Sequence, residues 1–374
     1  MAGASIKRIG VNALYLIPGA VGGTEIYLRE LLAALGRIDT VNEYFIFTNL
    51  ETEGDLVPRQ PNFQWKPQAL RARSRPVRIL WEQTVLPLEA SRYKIDVLFN
   101  PGFTAPLVAP CPCVTVFHDL QHKRHPQHFR WFDLPFWRLL LWASAHRSQR
   151  LIAVSEATRA DLLHFYRLPE ASVVVVPHGV DAALFELRRV QTEPFVLCVS
   201  TLHPHKNIER LIRAYAREKR DYRLVIAGFR GFRAQAIEKL VNDLALGEHV
   251  QITGWIGREE LYRLYDRALA FIYPSTFEGF GMPVLEAMAA GVPVACSDIA
   301  PVREVAGDTA LYFDPLEEDA LAAAIEQIVS DQALRARLAQ TGRERARAFT
   351  WERSAAKTLD VLLGAPYASE IPRG

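Results

Sequence analysis

The sequence predicts an α/β protein built from two parallel-sheet domains, and three observations carry this. Short apolar, strand-like runs alternate with helical patterns from one end of the chain to the other. The series breaks once and restarts, and 374 residues suffice for two separate buried cores. The first series comprises residues 9–17, 44–48, 97–100, 114–117, 151–154 and 173–176; the second comprises 195–199, 224–227, 250–253, 270–273 and 294–296. Strands that alternate with helices pair in parallel and carry the helices on both faces, so the two series imply two Rossmann-like domains. The break runs from Pro177-His178-Gly179-Val180-Asp181 to Pro194, where the chain turns polar and charged, which gives expected bounds of 1–185 and 190–349.

Composition narrows the function classes. Lys and Arg number 44 against 42 Asp and Glu, a net charge of +2, which argues against nucleic acid as a partner. The charge is uneven, because residues 60–150 hold 13 Lys or Arg and only 5 Asp or Glu. The amino terminus lacks a long apolar stretch and leads directly into a strand, and no apolar run reaches the roughly 18 residues of a membrane span. A cytoplasmic protein is therefore expected, soluble or peripheral on the inner face of the cytoplasmic membrane. Cys198 and Cys296 lie in strand-like runs, and Cys111-x-Cys113 is tighter than a zinc motif, so all four cysteines read as reduced and structural.

Ligands of open parallel sheets sit beyond the carboxyl ends of the strands. The first run ends in Pro18-Gly19-Ala20-Val21-Gly22-Gly23-Thr24-Glu25, before a helix whose Leu28, Leu31, Leu32 and Leu35 make one apolar face. Gly22 and Gly23 allow close backbone approach of a phosphate or sugar, or an ordinary tight turn. Arg71, Arg73, Arg75 and Arg78 then precede Trp81, and residues 122–142 interleave His, Lys and Arg with Trp, Phe and Leu. That mixture suits either an anionic membrane surface or a helix face covering an aromatic core. On the first reading, residues 71–142 hold a peripheral membrane patch that meets a lipid-linked acceptor. The run 114–117 delivers His118-Asp119 to a strand end, which makes His118 a site candidate, with Asp119 either orienting its ring or capping the turn.

In the second series, Ser200, Thr201, His205 and Lys206 lie between the run 195–199 and a helix predicted over 208–215. Lys206 places a cation where a diphosphate could meet a helix start, and a histidine at 205, titrating near neutral pH, would assist it. The run 250–253 leads to Gly254-Trp255. The most informative stretch is 273–293, Y-P-S-T-F-E-G-F-G-M-P-V-L-E-A-M-A-A-G-V-P, which reads as a strand end, a Gly-Pro loop and a helix opening near Met282-Pro283. Backbone N–H groups of Phe280, Gly281 and Met282 are expected to face an anion that the helix dipole favours. Glu278 and Glu286 frame that position. Carboxylates beside an anion site are poor phosphate ligands but good acceptors for sugar hydroxyls, so the combination reads as a seat for a nucleotide sugar.

The string over 278–294 resembles the Glu-x7-Glu signature of the retaining family 4 glycosyltransferases, and the resemblance extends over nearly the whole chain. It implies the GT-B fold: two Rossmann-like domains with sheets facing across a cleft, and a last segment, here 350–374, crossing back to the first domain. It further implies that Gly22 and Gly23 lie against the donor diphosphate and that His118 touches the donor sugar near the reacting carbon. The loop with Ser200, Thr201, His205 and Lys206 would grip the diphosphate, although Thr201 stands where many relatives carry Arg. Gly254 and Trp255 would hold the base, Glu286 would accept from the ribose and Glu278 from the sugar. His118, Lys206 and Glu278 are then the catalytic candidates.

Rival motifs are absent: the sequence has no D-x-D for a metal-bridged diphosphate, no G-x-S-x-G, no P-loop and no G-x-G-x-x-G. No metal and no cofactor beyond the donor substrate are expected, and retention implies front-face attack with the departing phosphate as base. The expected reaction moves a hexose from a nucleoside diphosphate to a hydroxyl of a glycan or lipid-linked acceptor. Thr201-Leu202-x-Pro204-x-Lys206-Asn207, with His118-Asp119-Leu120, looks most like the bacterial mannosyltransferases of O-antigen and exopolysaccharide synthesis, so GDP-mannose is the first expectation. UDP-glucose, UDP-N-acetylglucosamine and rhamnose transferases share the same parts. A sugar-nucleotide epimerase or phosphorylase, or a non-catalytic partner subunit, are the alternatives of another class.

Overall fold

A computed structural model describes residues 6–19, 22–217, 221–229, 231 and 233–364. The chain divides into two compact units, one of residues 1–179 with 351–374 and one of residues 180–350. The first holds β1 (Arg8–Asn12), β2 (Glu43–Thr48), β3 (Phe63–Pro67), β4 (Val97–Asn100), β5 (Cys113–Phe117), β6 (Arg150–Ala153) and β7 (Val173–Val175). They form one parallel sheet in the order β3-β2-β1-β4-β5-β6-β7. The second unit holds β8 (Glu193–Val199), β9 (Arg223–Ala227), β10 (Val250–Gly254), β11 (Ala268–Tyr273), β12 (Val294–Ser297) and β13 (Leu311–Phe313), parallel in the order β10-β9-β8-β11-β12-β13. Both sheets are doubly wound, and each reverses its strand order once, between β1 and β4 and between β8 and β11.

Central strands such as β4, β5 and β12 are buried along their whole length, which is why they read as unbroken apolar runs. The helix Gly23–Ile38 buries the Leu28, Leu31, Leu32 and Leu35 stripe. The last helix, Trp351–Leu362, packs on it, with Trp351 6.1 Å from the Tyr27 ring and Glu352 2.6 Å from Arg37. Among the described residues no helix is long and apolar enough to cross a membrane. The four cysteines are free thiols.

Three sequence expectations give way. β1 stops at Asn12 rather than running to 17: the Ala13 N–H still reaches the Phe47 carbonyl of β2, but Asn12 Oδ1 then accepts from the Leu14 N–H and the Ala13 carbonyl from the Leu16 N–H, which turns the chain out of the sheet. Leu14 and Leu16 remain buried as loop, their carbonyls held by the Asn49 amide at 2.9 and 2.6 Å. β3 and β13, absent from the apolar runs, are both sheet edges. β3 alternates buried Phe63 with half-exposed Trp65 and ends at Pro67, and β13 is three residues long and only partly buried, so neither stands out as a buried run, unlike the edge strand β7, whose three valines are buried throughout.

Candidate active site

The site of the second unit grows from the carboxyl ends of β8 and β11. After β8, Ser200 donates its N–H to the Ala227 carbonyl at 2.8 Å. Gly228 lies against this turn with φ +147°, and a Cβ there would sit 2.1 Å from the Ser200 carbonyl oxygen, so only glycine lets the two loops meet. A short turn, Pro204–Lys206, then leads to Asn207, whose left-handed φ of 59° starts the helix Ile208–Ala216. The Asn207 amide donates to the carbonyls of Pro274 (3.1 Å) and Pro315 (2.8 Å), while Ser275 and Thr276 donate to the His205 carbonyl. These bonds latch the loop after β8 to the loop after β11.

The latch sets Lys206 Nζ 2.6 Å from Glu278 Oε1. Tyr273 OH donates to the same oxygen at 2.6 Å and accepts from Lys206 at 3.2 Å. Burial pushes the Glu278 carboxyl up, but the Lys206 ammonium and the Tyr273 and Ser275 hydroxyls outweigh it and hold the group below the usual carboxylate range. Glu286 fares differently. It lies on the helix Met282–Ala289, where Tyr265 OH donates to its Oε2 at 3.0 Å. Burial pushes it up to about 7 against the Tyr265 hydrogen bond and the Arg258 charge. Arg258 and Tyr262 also hold Asp181, Tyr262 OH donating at 2.5 Å and Arg258 Nη1 at 3.2 Å. Eight residues apart, one carboxylate is ionised by its partner and the other is poised near neutrality.

At the start of the same helix, Gly281 is the N-cap with φ 112°, and its carbonyl accepts from Val284 and Leu285. Met282 is the first helical residue and Pro283 lies in the first turn, where its missing N–H is harmless. Phe280 is buried, 6.1 Å from the Phe349 ring.

In the first unit, His118 follows β5 directly and is 9% exposed, enclosed by the rings of Tyr27 (4.9 Å), Phe103 (5.2 Å) and His178 (5.5 Å). Burial lowers its pKa to about 4. The ring is neutral at neutral pH, with the Nε2–H donating to the Pro101 carbonyl at 2.8 Å and Nδ1 left as the acceptor. Asp119 accepts from the Gln121 N–H at 2.8 Å, which caps the turn.

A model of the Glycosyltransferase Family 4 domain matches residues 21–184, and one of the Glycosyl transferases group 1 domain matches residues 180–345. The chain is 29% identical over 284 residues to the O-antigen chain mannosyltransferase B of Escherichia coli, covering 72% of this chain and 74% of that one. It is 31% identical over 292 residues to the GDP-mannose-dependent alpha-(1-6)-phosphatidylinositol monomannoside mannosyltransferase of Mycobacterium tuberculosis, covering 72% and 75% respectively. The chain belongs to the family 4 glycosyltransferases. The fold of this glycosyltransferase is GT-B: the solved sucrose-phosphate synthase of Thermosynechococcus elongatus matches 95% of this chain and 98% of its own with a TM-score of 0.78, at 23% identity.

The glycosyltransferase brings Lys206, Glu278 and Glu286 to one edge of the second unit, which also holds Ser200, Thr201, His205, Gly254 and Trp255, whereas Gly22, Gly23 and His118 belong to the first unit. Ser200 is buried, its hydroxyl turned to the Thr201 carbonyl at 3.1 Å. Thr201 holds the turn by accepting from His203, and the His205 ring lies 5.9 Å from that of His203. Gly254 closes β10 with φ 74° and accepts from Gly228 at 3.0 Å. Trp255 is 68% exposed, so packing is not its role. Gly22 is the N-cap of the helix Gly23–Ile38 with φ 60°, and Glu25 in the first turn accepts from Gly19 at 2.7 Å; Ala20 and Val21 lie outside the described residues. Among the described residues no group of three or more His, Cys, Asp and Glu is placed to hold a metal ion. Sequence reasoning passed over Tyr265 and Tyr273 as site residues and read Asn207 only as part of the motif before the helix. Tyr273 was visible only as the end of an apolar run, and nothing local marks Tyr265.

Proposed function

We propose that this glycosyltransferase moves mannose from GDP-mannose to a hydroxyl of a glycan or lipid-linked acceptor, retaining the anomeric configuration and using no metal ion. The observation that carries the reading is the Lys206–Glu278 pair at the β8/β11 edge, with Glu286 eight residues further on. Lys206 neutralises the departing diphosphate together with N–H groups at the start of the helix Met282–Ala289. Glu286 accepts from the ribose hydroxyls and Glu278 from the sugar. The anomeric carbon's bond to the diphosphate breaks as the acceptor oxygen bonds on the same face, and the acceptor proton ends on the departing GDP phosphate. His118 contributes Nδ1 as a neutral hydrogen-bond acceptor for a sugar hydroxyl. Mannose is supported by both mannosyltransferase relatives, and GDP by the GDP-mannose-dependent enzyme of Mycobacterium tuberculosis.

Thermal shifts with GDP-mannose, UDP-glucose and UDP-N-acetylglucosamine test the donor, and GDP-mannose alone should stabilise. Assay in EDTA tests the metal, and NMR of the product tests retention. Stabilisation by a UDP-sugar instead would overturn the mannose assignment, and turnover of donor without acceptor would point to an epimerase or phosphorylase.

The acceptor reading includes a membrane. Along the stretch that ends in the helix Leu134–Arg147, Phe132 (57%), Phe136 (51%), Leu139 (64%) and Trp142 (45%) recur at helical spacing and are exposed, with Trp131 at 84% beside them. Arg75, at the start of the helix Arg75–Arg92, stacks 3.8 Å from the Trp137 ring, and Leu80 on that helix is 64% exposed. Apolar rings among cations fit an anionic lipid surface, from which a lipid-linked acceptor would be drawn. Flotation with phosphatidylglycerol vesicles should be salt-sensitive and weakened by Trp131→Ala with Phe136→Ala; equal flotation with neutral vesicles counts against the patch.

A further inference from the structure

Both carboxylates of the site share a feature that the chemistry above does not use. Each is met by the hydroxyl of a tyrosine that solvent does not reach: Tyr265, 0% exposed, at Glu286 and Tyr273, 1% exposed, at Glu278. The two come from consecutive elements, the helix Arg258–Arg267 and β11, and the Phe271 ring lies 6.0 Å from each. Phenylalanine would fill the same apolar volume without the cost of burying a hydroxyl, so packing alone does not call for tyrosine here. Elsewhere in the same unit the equally buried Tyr215 satisfies its hydroxyl on a backbone carbonyl, that of Tyr222 at 2.6 Å. At the site both hydroxyls go instead to carboxylate side chains.

We propose that Tyr265 and Tyr273 are positioning residues of the donor site, each fixing one carboxylate in the rotamer that turns its open acceptor positions toward the sugar nucleotide. The proposal rests on the donor-site reading above. A carboxylate has about four lone-pair positions. Tyr265 takes one on Oε2 of Glu286, and Tyr273 shares Oε1 of Glu278 with Lys206. The two tyrosines differ in what they hold. Tyr273 stands between Lys206 and Glu278, accepting from one and donating to the other, so its loss loosens the charged pair at the reacting end of the donor. The Tyr265 hydroxyl bonds the carboxylate assigned to the ribose, which is bound alike in ground and transition states.

The test compares Tyr265→Phe and Tyr273→Phe in three readouts. In the unliganded protein, carboxyl titration by carbon-13 NMR should move the Glu286 midpoint up from about 7 in Tyr265→Phe and leave Glu278 alone, with the reverse in Tyr273→Phe. With GDP-mannose as donor, Tyr265→Phe should raise the donor KM about tenfold and hold kcat within about twofold, whereas Tyr273→Phe should lower kcat about tenfold. In a Glu286→Gln background, Tyr265→Phe should add less than about twofold, since it acts through that carboxylate. Midpoints that stay put, or equal costs in the Glu and Gln backgrounds, overturn the proposal while the donor reading stands. A wild type that binds none of the three nucleotide sugars overturns the donor reading and this proposal with it. Should Tyr265→Phe not fold, 3-fluorotyrosine at position 265 keeps the ring and strengthens the donor, and the Glu286 midpoint should then fall; no movement counts against the role.

Discussion

The two sheets share one strand order over six strands, the first adding β7 at its edge, and therefore have the same opening at the carboxyl edge, where the order reverses. What fills the openings differs. Between β1 and β4, the Asn12 amide donates to Asn100 (3.1 Å) and to Glu82 (3.2 Å), and the Thr104 hydroxyl donates to the same Glu82 carboxylate at 2.9 Å. All four are buried, and burial pushes the Glu82 carboxyl above its usual range. Between β8 and β11 stands an ion pair, Lys206 with Glu278, whose side chains keep 15% and 12% of their exposure. One opening is plugged by a helix side chain held in a closed amide network. The other holds an ion pair that keeps some exposure to solvent, the pair on which the proposed donor site rests. Topology supplies two equivalent places for a ligand, and side-chain chemistry decides which takes the charged one.

The comparison breaks most easily at Lys206. Lys206→Ala should cost on the order of 10³ in kcat/KM, about 4 kcal/mol, by removing the cation that the proposed donor site sets opposite the diphosphate. It should also destabilise the fold by about 3 kcal/mol, because Glu278 is left buried and unpaired. Glu82→Gln at the matching opening should leave the donor KM within about twofold; a large KM effect there would erase the distinction between the two edges. Next in size, Glu286→Ala should lose roughly 10² in kcat/KM, about 2.7 kcal/mol, and a loss under about threefold would remove its ribose role.

Stability against pH sharpens the contrast between the two glutamates. Glu286 is raised to about 7 in the folded chain, so between its ordinary carboxyl range and pH 7 the folded state binds more protons than the unfolded one, and stability falls as pH rises through that window. Glu286→Gln should therefore stabilise by about 2 kcal/mol above pH 8 and by little below pH 4.5, as read by denaturant titration at both pH values. Glu278 is lowered, so the stability that it contributes is lost as pH falls through its folded value, the opposite sign. The smallest effect belongs to His205. His205→Ala should raise the donor KM about threefold by removing a polar side chain beside Lys206, and an unchanged KM would take His205 out of the proposed site.

Much of this was legible in the chain because its signals are local. Gly281, Pro283, Gly291 and Pro293 punctuate a helix within a dozen residues, and that is enough to place Glu278 before the helix and Glu286 on it. Buried central strands announce themselves because both faces need apolar residues. β3 and β13 did not: β3 alternates buried and exposed residues and ends in Pro67, and β13 is three partly buried residues, so each is defined by its pairing with a neighbour rather than by its own composition. The end of β1 was misjudged for a related reason: Leu14 and Leu16 are apolar because the loop is buried, and it is Asn49, more than thirty residues away, that satisfies their carbonyls.

By itself the sequence determined the two doubly wound lobes, the family, and which acidic and basic side chains stand at strand ends, because periodicity and helix punctuation act over a few residues. Only the tertiary structure decided that Lys206 closes on Glu278 from 72 positions away and that Tyr265 and Tyr273 hold the two carboxylates. It alone set one carboxylate ionised and its neighbour close to neutral. Those outcomes depend on burial and on partners brought together by the sheet, and neither is encoded in spacing along the chain.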